Sequence, residues 1–339
     1  MHISFILAFA AIVSAAESAS HWAEYLALPN ITSIICYDNS LNQPRTLDVL
    51  YNGDSKIKKS FDFPKEGLSL EGVTLPEGLE SFVLPNVHLK SIPTQFKWPS
   101  TLKALYVFDV FIVDNGYSNL DSNQLDVFPT HLPRSIESLS LRKNLISQLP
   151  QSIEFPRLRI LDVGTNKLST IPDDFSLPQG IEYLFLSNNQ ITTLPANSSW
   201  IGQIRWCLYL NKNQIQDLPS DANFPESTNV ANNRITTLAN LALPHSFDIG
   251  HNPLETVYRV TMSSKDSYWL TSASTLTTFV LEESVFEKVR AELGPYYPLA
   301  WKSDNDSIAA VCEFEQGTVR ALKNFGSQVP INVCVVSPY

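Results

Sequence analysis

Residues 181–195 read IEYLFLSNNQITTLP, with apolar positions at Ile181, Leu184, Leu186, Ile191 and Leu194. Neither a helical repeat of 3.6 nor a strand repeat of two fits the whole run. One polar residue, Asn189, sits among the apolar ones, and a proline closes the stretch. The same spacing returns as IESLSLRKNLISQLP at 136–150, LRILDVGTNKLSTIP at 158–172 and RWCLYLNKNQIQDLP at 205–219. Aligned on the asparagine, the copies share L-x-x-L-x-L-x-x-N-x-L-x-x-L-P, with Ile or Val replacing some leucines. Weaker copies begin at Leu79, Leu102, Pro225 and Pro244, so that successive starts are 23, 34, 22, 23, 24, 20 and 19 residues apart.

The pattern predicts one structural unit per copy. The L-x-L core is a short strand whose two leucines share one face while the residue between them points to the other. The asparagine, with donors and an acceptor on one side chain, binds free backbone groups where the chain leaves the strand. Stacking puts these residues in a column: Asn123, Asn144, Asn166, Asn189, Asn213, Asn233 and Asn252. No copy buries its leucines alone, so neighbours must share one continuous core. The return path is marked by Pro93, Pro129, Pro150, Pro172, Pro195 and Pro219, and a second set at Pro99, Pro133, Pro156, Pro178, Pro225 and Pro244 precedes the strands. Two prolines in so short a return leave no room for a long helix. Extended or 3₁₀ segments are expected there.

Over residues 79 to 257 these motifs resemble the leucine-rich repeat superfamily. The resemblance implies an α/β-type repeat solenoid, a leucine-rich repeat horseshoe with a parallel concave sheet and a proline-rich, mostly non-helical convex side, flanked by terminal caps. The glycine that the plant receptor subtype carries before its Ile-Pro is missing. The chain looks like a secreted leucine-rich repeat protein, or the ectodomain of a receptor kinase without its membrane span and kinase.

The expected organisation is a signal peptide over 1–20, an N-terminal cap over 21–66, about eight repeats over 67–257 and a C-terminal flanking region over 258–339. The 34-residue step is about 11 too long for one repeat, which points to an insertion near 108–119. In the cap, ITSIICYDN and TLDVLYNG read as two strands, with Asn52 and Gly53 a turn signal. In the flank, Val285, Phe286, Val289 and Leu293 fall on one face of a helix that stops at Gly294 and Pro295.

The leader is an apolar run at 3–13 followed by small residues, the pattern of a secretory signal. No later stretch reaches the roughly 20 apolar residues that span a bilayer. Three N-x-S/T triplets, Asn30, Asn197 and Asn305, agree with an extracellular, glycosylated protein. Asn197 follows Leu194 and Pro195 on the convex turn, where a glycan leaves the concave face clear. The net charge of −10 argues against phosphate backbones and anionic lipid. Of the four cysteines, Cys312 and Cys334 form the expected disulfide, stabilising the flank by about 3 kcal/mol. Cys36 and Cys207 stand five repeats apart. At strand spacings of about 4.8 Å that is roughly 24 Å, well beyond the reach of a disulfide.

Residues between the strand leucines face the concave side. Down that column stand Val83, Tyr106, Ser140, Asp162, Phe185, Tyr209, Asn229 and Asp248. Tyr183, Phe185, Trp206 and Tyr209 come from neighbouring copies and are expected to form one aromatic patch, flanked by Arg142, Lys143 and Asp162. A contiguous exposed cluster of this kind marks a binding site. The alternative is that the rings pack on one another and on the inserted loop. Aromatic anchors suit a protein or peptide, and ring stacking also suits a polysaccharide.

His245, Asp248 and His251 carry zinc-compatible side chains at a spacing of three, but a fourth ligand is absent, as is a specified nucleophile. No G-x-S-x-G, Walker loop, dinucleotide fingerprint or paired-cysteine metal pattern occurs. Cys207 lacks a cationic setting beyond Arg205, and Arg205 itself occupies a normally apolar position. The reading is therefore no catalytic residue, no cofactor and no metal, but a secreted protein that binds an extracellular protein or glycan on its concave face. The alternative is a structural or cell-wall role in which the solenoid serves assembly.

Overall fold

The computed structural model describes residues 31–37, 45–51, 55–61, 70, 75, 78–83, 89–107, 123–220, 222–262, 268–270, 274–292, 301–323 and 329–338. The expected signal segment, Asn30, the expected turn at Asn52 and Gly53, Leu293 and the expected insertion near 108–119 lie outside them. The chain forms two compact units, one of residues 1–168 and 176–181, the other of 169–175 and 182–339.

The first unit opens with three seven-residue strands, β1 (Ile31–Tyr37), β2 (Arg45–Tyr51) and β3 (Ser55–Phe61). β2 pairs antiparallel with both β1 and β3, one strand more than the sequence indicated. The free edge of β1 then pairs in parallel with β4 (Ser81–Val83), so this ribbon closes the first repeat strand's open edge. β5 (Ala104–Tyr106), β6 (Ser138–Ser140) and β7 (Ile160–Asp162) continue the parallel ladder. Phe82, Leu105, Leu139 and Leu161 occupy one register position and are fully buried. The residues on either side of Leu105, Leu139 and Leu161 are half-buried or exposed, which is the alternation the L-x-L core demands.

The second unit repeats this plan. β8 (Tyr183–Phe185), β9 (Cys207–Tyr209) and β10 (Ser227–Asn229) pair in parallel. On the convex return lie β11 (Thr237–Ala239) and β12 (Ala242–Leu243). β13 (Ser246–Asp248) rejoins the concave ladder beside β10. β14 (Thr256–Tyr258) and β15 (Thr261–Met262) then pair in parallel with β11 and β12. β16 (Tyr268–Leu270) pairs with β13, carrying the concave ladder past residue 257. Thr228 stands where other repeats bury leucine or phenylalanine, and its hydroxyl donates to the Pro225 carbonyl at 3.2 Å, which satisfies the buried oxygen.

The flank is built on the convex side. β17 (Thr275–Leu276) precedes β18 (Thr278–Glu282), which runs directly into α1 (Glu283–Glu292) with Val285, Phe286 and Val289 buried. β19 (Lys302–Ser303) pairs with β17, and α2 (Asn305–Phe314) leads to β20 (Thr318–Leu322) and β21 (Ile331–Val336). β21 pairs in parallel with β18, while β20 runs antiparallel to β21 and ends the convex sheet. A disulfide joins Cys312 of α2 to Cys334 of β21, with their Cα atoms 5.1 Å apart. Gly317 lies against it: a Cβ there would stand 2.6 Å from Cys334 Sγ and 2.8 Å from the Val335 carbonyl.

Three local devices hold the turns of each stack. All seven column asparagines are buried. Asn213, for example, donates to the carbonyls of Leu210 in its own repeat and Leu186 in the preceding one, and accepts from the Ile191 N–H. The residue before the column asparagine takes a left-handed backbone, at Lys143, Thr165, Asn188, Lys212, Asn232 and His251. At Lys143, Asn188, Lys212 and Asn232 the N–H then donates to the following repeat. The prolines start tight turns. The carbonyls of Pro99, Pro133 and Pro178 accept from Leu102, Ile136 and Ile181, three residues on. Between 123 and 262 the described return segments contain tight turns and short bridges but no helix beyond a 3₁₀ turn at Ile201–Gln203.

Candidate functional site

Tyr183, Phe185 and Tyr209 come together as the sequence indicated. Tyr183 and Phe185 flank the buried Leu184 on β8, so strand alternation sends both rings to the concave face. Their ring centroids lie 6.4 Å apart with planes at 14°. Phe185 and Tyr209 are direct register partners on β8 and β9, and their rings meet edge to face at 5.2 Å. The three rings form a continuous half-buried row that retains exposed ring surface.

Trp206 does not join that row through any ring contact among the described residues. The cause is the Arg205 anomaly. Ile204, not Arg205, fills the buried first position of this repeat, with its N–H bonded to the Ile201 carbonyl like the corresponding residues elsewhere. Arg205 is thus one extra residue between the buried anchor and the strand. Both Trp206 and Cys207 donate to the Glu182 carbonyl, as Glu137 and Ser138 do to Lys103. Trp206 therefore lies outside the strand, 36% exposed, with the Arg205 guanidinium 4.8 Å over its ring. The 24-residue step was the sequence signal of this extra residue.

Cys207, between Trp206 and the row, is half-buried. Burial pushes its thiol up, against a hydrogen bond from Ser227 that pulls it down. That setting disfavours the thiolate, the nucleophilic form.

In the first unit, Tyr106 stands at the corresponding position of β5 and is half-buried. Arg142 lies 4.0 Å from the Asp162 carboxylate, and the Gly164 N–H donates to Asp162 at 2.8 Å. Burial raises the Asp162 carboxyl above the usual range, outweighing Gly164 and Arg142, which lower it. Lys143 is fixed in the left-handed position before Asn144, so its backbone serves the turn.

The histidine-bearing stretch is arranged for structure. Asp248 uses one oxygen to accept from Gly250 N–H and the other from Asn229 Nδ2, each at 3.0 Å. His251 is exposed in a left-handed turn. Among the described residues no three His, Cys, Asp or Glu side chains are grouped to hold a metal ion. Asn197 is exposed and its side-chain oxygen accepts from the Ser199 N–H at 3.2 Å. Asn305 opens α2, its oxygen accepting from Ser303 and Asn332. No helix of the described residues is long and apolar enough to cross a membrane.

The leucine rich repeat family model matches residues 134–191. The chain is 28% identical over 266 residues to podocan from Mus musculus, covering 68% of this chain and 42% of podocan. It is 37% identical over 105 residues to podocan-like protein 1 from Homo sapiens, covering 30% of this chain and 20% of that protein. The chain thus spans well under half the length of these relatives. YopM from Yersinia enterocolitica superposes with a TM-score of 0.41 at 22% identity, covering 72% of this chain and 51% of YopM. A disulfide of the kind that persists in oxidising compartments and the similarity to the podocan proteins give the protein an extracellular address. With the asparagine column, the parallel L-x-L ladder and the family match over 134–191 in agreement, the chain carries a leucine-rich repeat solenoid and is similar to the podocan proteins.

Proposed function

We propose that the protein binds an extracellular protein or polysaccharide on its concave face, with Tyr183, Phe185 and Tyr209 as the anchoring surface. The observation that carries this reading is the continuous row of three rings on outward strand positions of β8 and β9. Fixed aromatic side chains offer contact area at little entropic cost, and such clusters dominate recognition energies. The second unit's site supplies stacking faces and phenol hydroxyls. Its groups suit recognition rather than catalysis.

The test is capture from extracellular extract, divided into protein and polysaccharide fractions. Purified wild type is compared with a Tyr183/Phe185/Tyr209 triple alanine variant whose circular dichroism is unchanged. Capture lost in the variant supports the row and identifies the ligand class. Equal capture by both refutes it, and a separate Trp206→Ala variant then tests the displaced tryptophan. Concentration-dependent self-association that vanishes in the triple variant favours the structural, assembly role instead.

A further inference from the structure

The Leu-Pro pairs of the return segments are not all alike. Leu149 and Ile171, each before its proline, are buried. Leu194 and Leu218, at the same place in the next two repeats, are only half-buried. Together with Pro195, Ala196, Asp217 and Pro219 they line an open cleft of about 330 Å³. Two consecutive core leucines are left partly uncovered, with a carboxylate at the edge. Asn197 follows Ala196 directly, so the cleft adjoins the sequon Asn197-Ser198-Ser199.

The local geometry suits modification. Asn197 and Ser199 are both exposed. The Asn197 side-chain oxygen is occupied by the Ser199 N–H, while its Nδ2 has no partner among the described residues. We infer that Asn197 carries an N-linked oligosaccharide whose first sugars lie in the cleft and cover Leu194 and Leu218. In the secretory pathway the Asn197 amide nitrogen attacks the anomeric carbon of a lipid-diphosphate-linked oligosaccharide. The N–C bond forms, the anomeric C–O bond to phosphate breaks, the lipid diphosphate leaves with the electron pair, and the amide gives up one proton.

The sugar is the fitting occupant for two reasons. An N-acetylhexosamine presents an apolar ring face to Leu and Pro side chains and hydroxyl and amide groups to Asp217. It is also tethered beside the cleft, and tethering turns weak contacts into a persistent one by effective concentration. The inference does not depend on the concave-face proposal.

The test uses the full chain secreted from a eukaryotic host. Peptide mapping before and after amidase deglycosylation reads occupancy, since removal converts a glycosylated Asn197 to aspartate. The Asn197→Gln variant loses that glycan. Hydrogen exchange is then compared between the intact glycoprotein, the same protein trimmed to one sugar and the fully deglycosylated protein, which needs no variant to fold. The expected result is an occupied Asn197, with amide protection at 192–196 and 217–220 lost on full removal. An unmodified Asn197 in the secreted protein overturns the inference, as does occupancy with exchange at those segments unchanged.

Discussion

Asn232 and Asn233 are chemically identical neighbours with opposite duties, and alanine at each separates the two devices that hold a repeat. Asn233 is 7% exposed. It donates to the carbonyls of Leu210 at 3.0 Å and Val230 at 2.9 Å, and accepts from Ile215 N–H at 3.0 Å. At about 1 kcal/mol net per bond, Asn233→Ala costs about 3 kcal/mol, rising to about 5 if the Ile215 N–H is left dry. Asn232 is exposed and contributes a left-handed backbone. Alanine there costs about 1–2 kcal/mol, and glycine restores most of it. With a urea slope on the order of 3 kcal/mol/M, the midpoint falls by about 1 M or more for Asn233→Ala and by about 0.3–0.7 M for Asn232→Ala. Urea titrations followed by circular dichroism measure both. Equal losses, or the larger loss at Asn232, would refute the assignment of the column asparagines as the inter-repeat bond.

Leu186→Ala should lose about 2–5 kcal/mol, since Leu186 is fully buried, whereas Phe185→Ala, on the concave face, should lose less; thermal melts in the reverse order would overturn the strand register. Gly317→Ala forces a methyl against Cys334 Sγ and the Val335 carbonyl and should cost about 1–3 kcal/mol, read as a lowered urea midpoint. Asp162 has a folded pKa raised above its usual 3.8, so the native state holds its proton more tightly than the unfolded chain. That contribution to stability is lost as pH rises through the window from the unfolded to the folded value. Asp162→Asn should therefore gain more over wild type at neutral pH than at acid pH in paired urea titrations. A pH-independent difference would show that burial does not govern this carboxyl.

The repeat is the most legible part of this chain because one residue type at one spacing carries each structural duty. Leucines at fixed offsets mark the core, and Asn123 to Asn252 mark the column, all of them buried as expected. The aromatic row was legible for the same reason: Tyr183, Phe185 and Tyr209 follow from strand alternation. Trp206 was not, because alignment on Asn213 hides an extra residue upstream. The 24-residue step hints at it, and the burial of Ile204 and the shared bonds to Glu182 place it. The convex strands β11, β14 and β18 were equally hidden, since their pairing depends on contacts with neighbouring repeats rather than on a local period. The uncovered Leu194 and Leu218 could not be read either, because Leu-Pro is written identically in repeats that bury it.

The asparagine bonds also have a direction. Asn213 satisfies Ile191 and Leu186, 22 and 27 residues before it, and Asn252 does the same for Ile235 and Val230, 17 and 22 residues before it. Each of these turns thus has its own asparagine bonded to its own carbonyls but is completed only by the asparagine of its successor. During synthesis, at about 5–20 residues per second, the newest repeat stays unsealed for roughly a second or more until the next asparagine arrives. The growing chain therefore carries one open turn that advances with translation, and an interruption anywhere leaves the last turn before it unlatched.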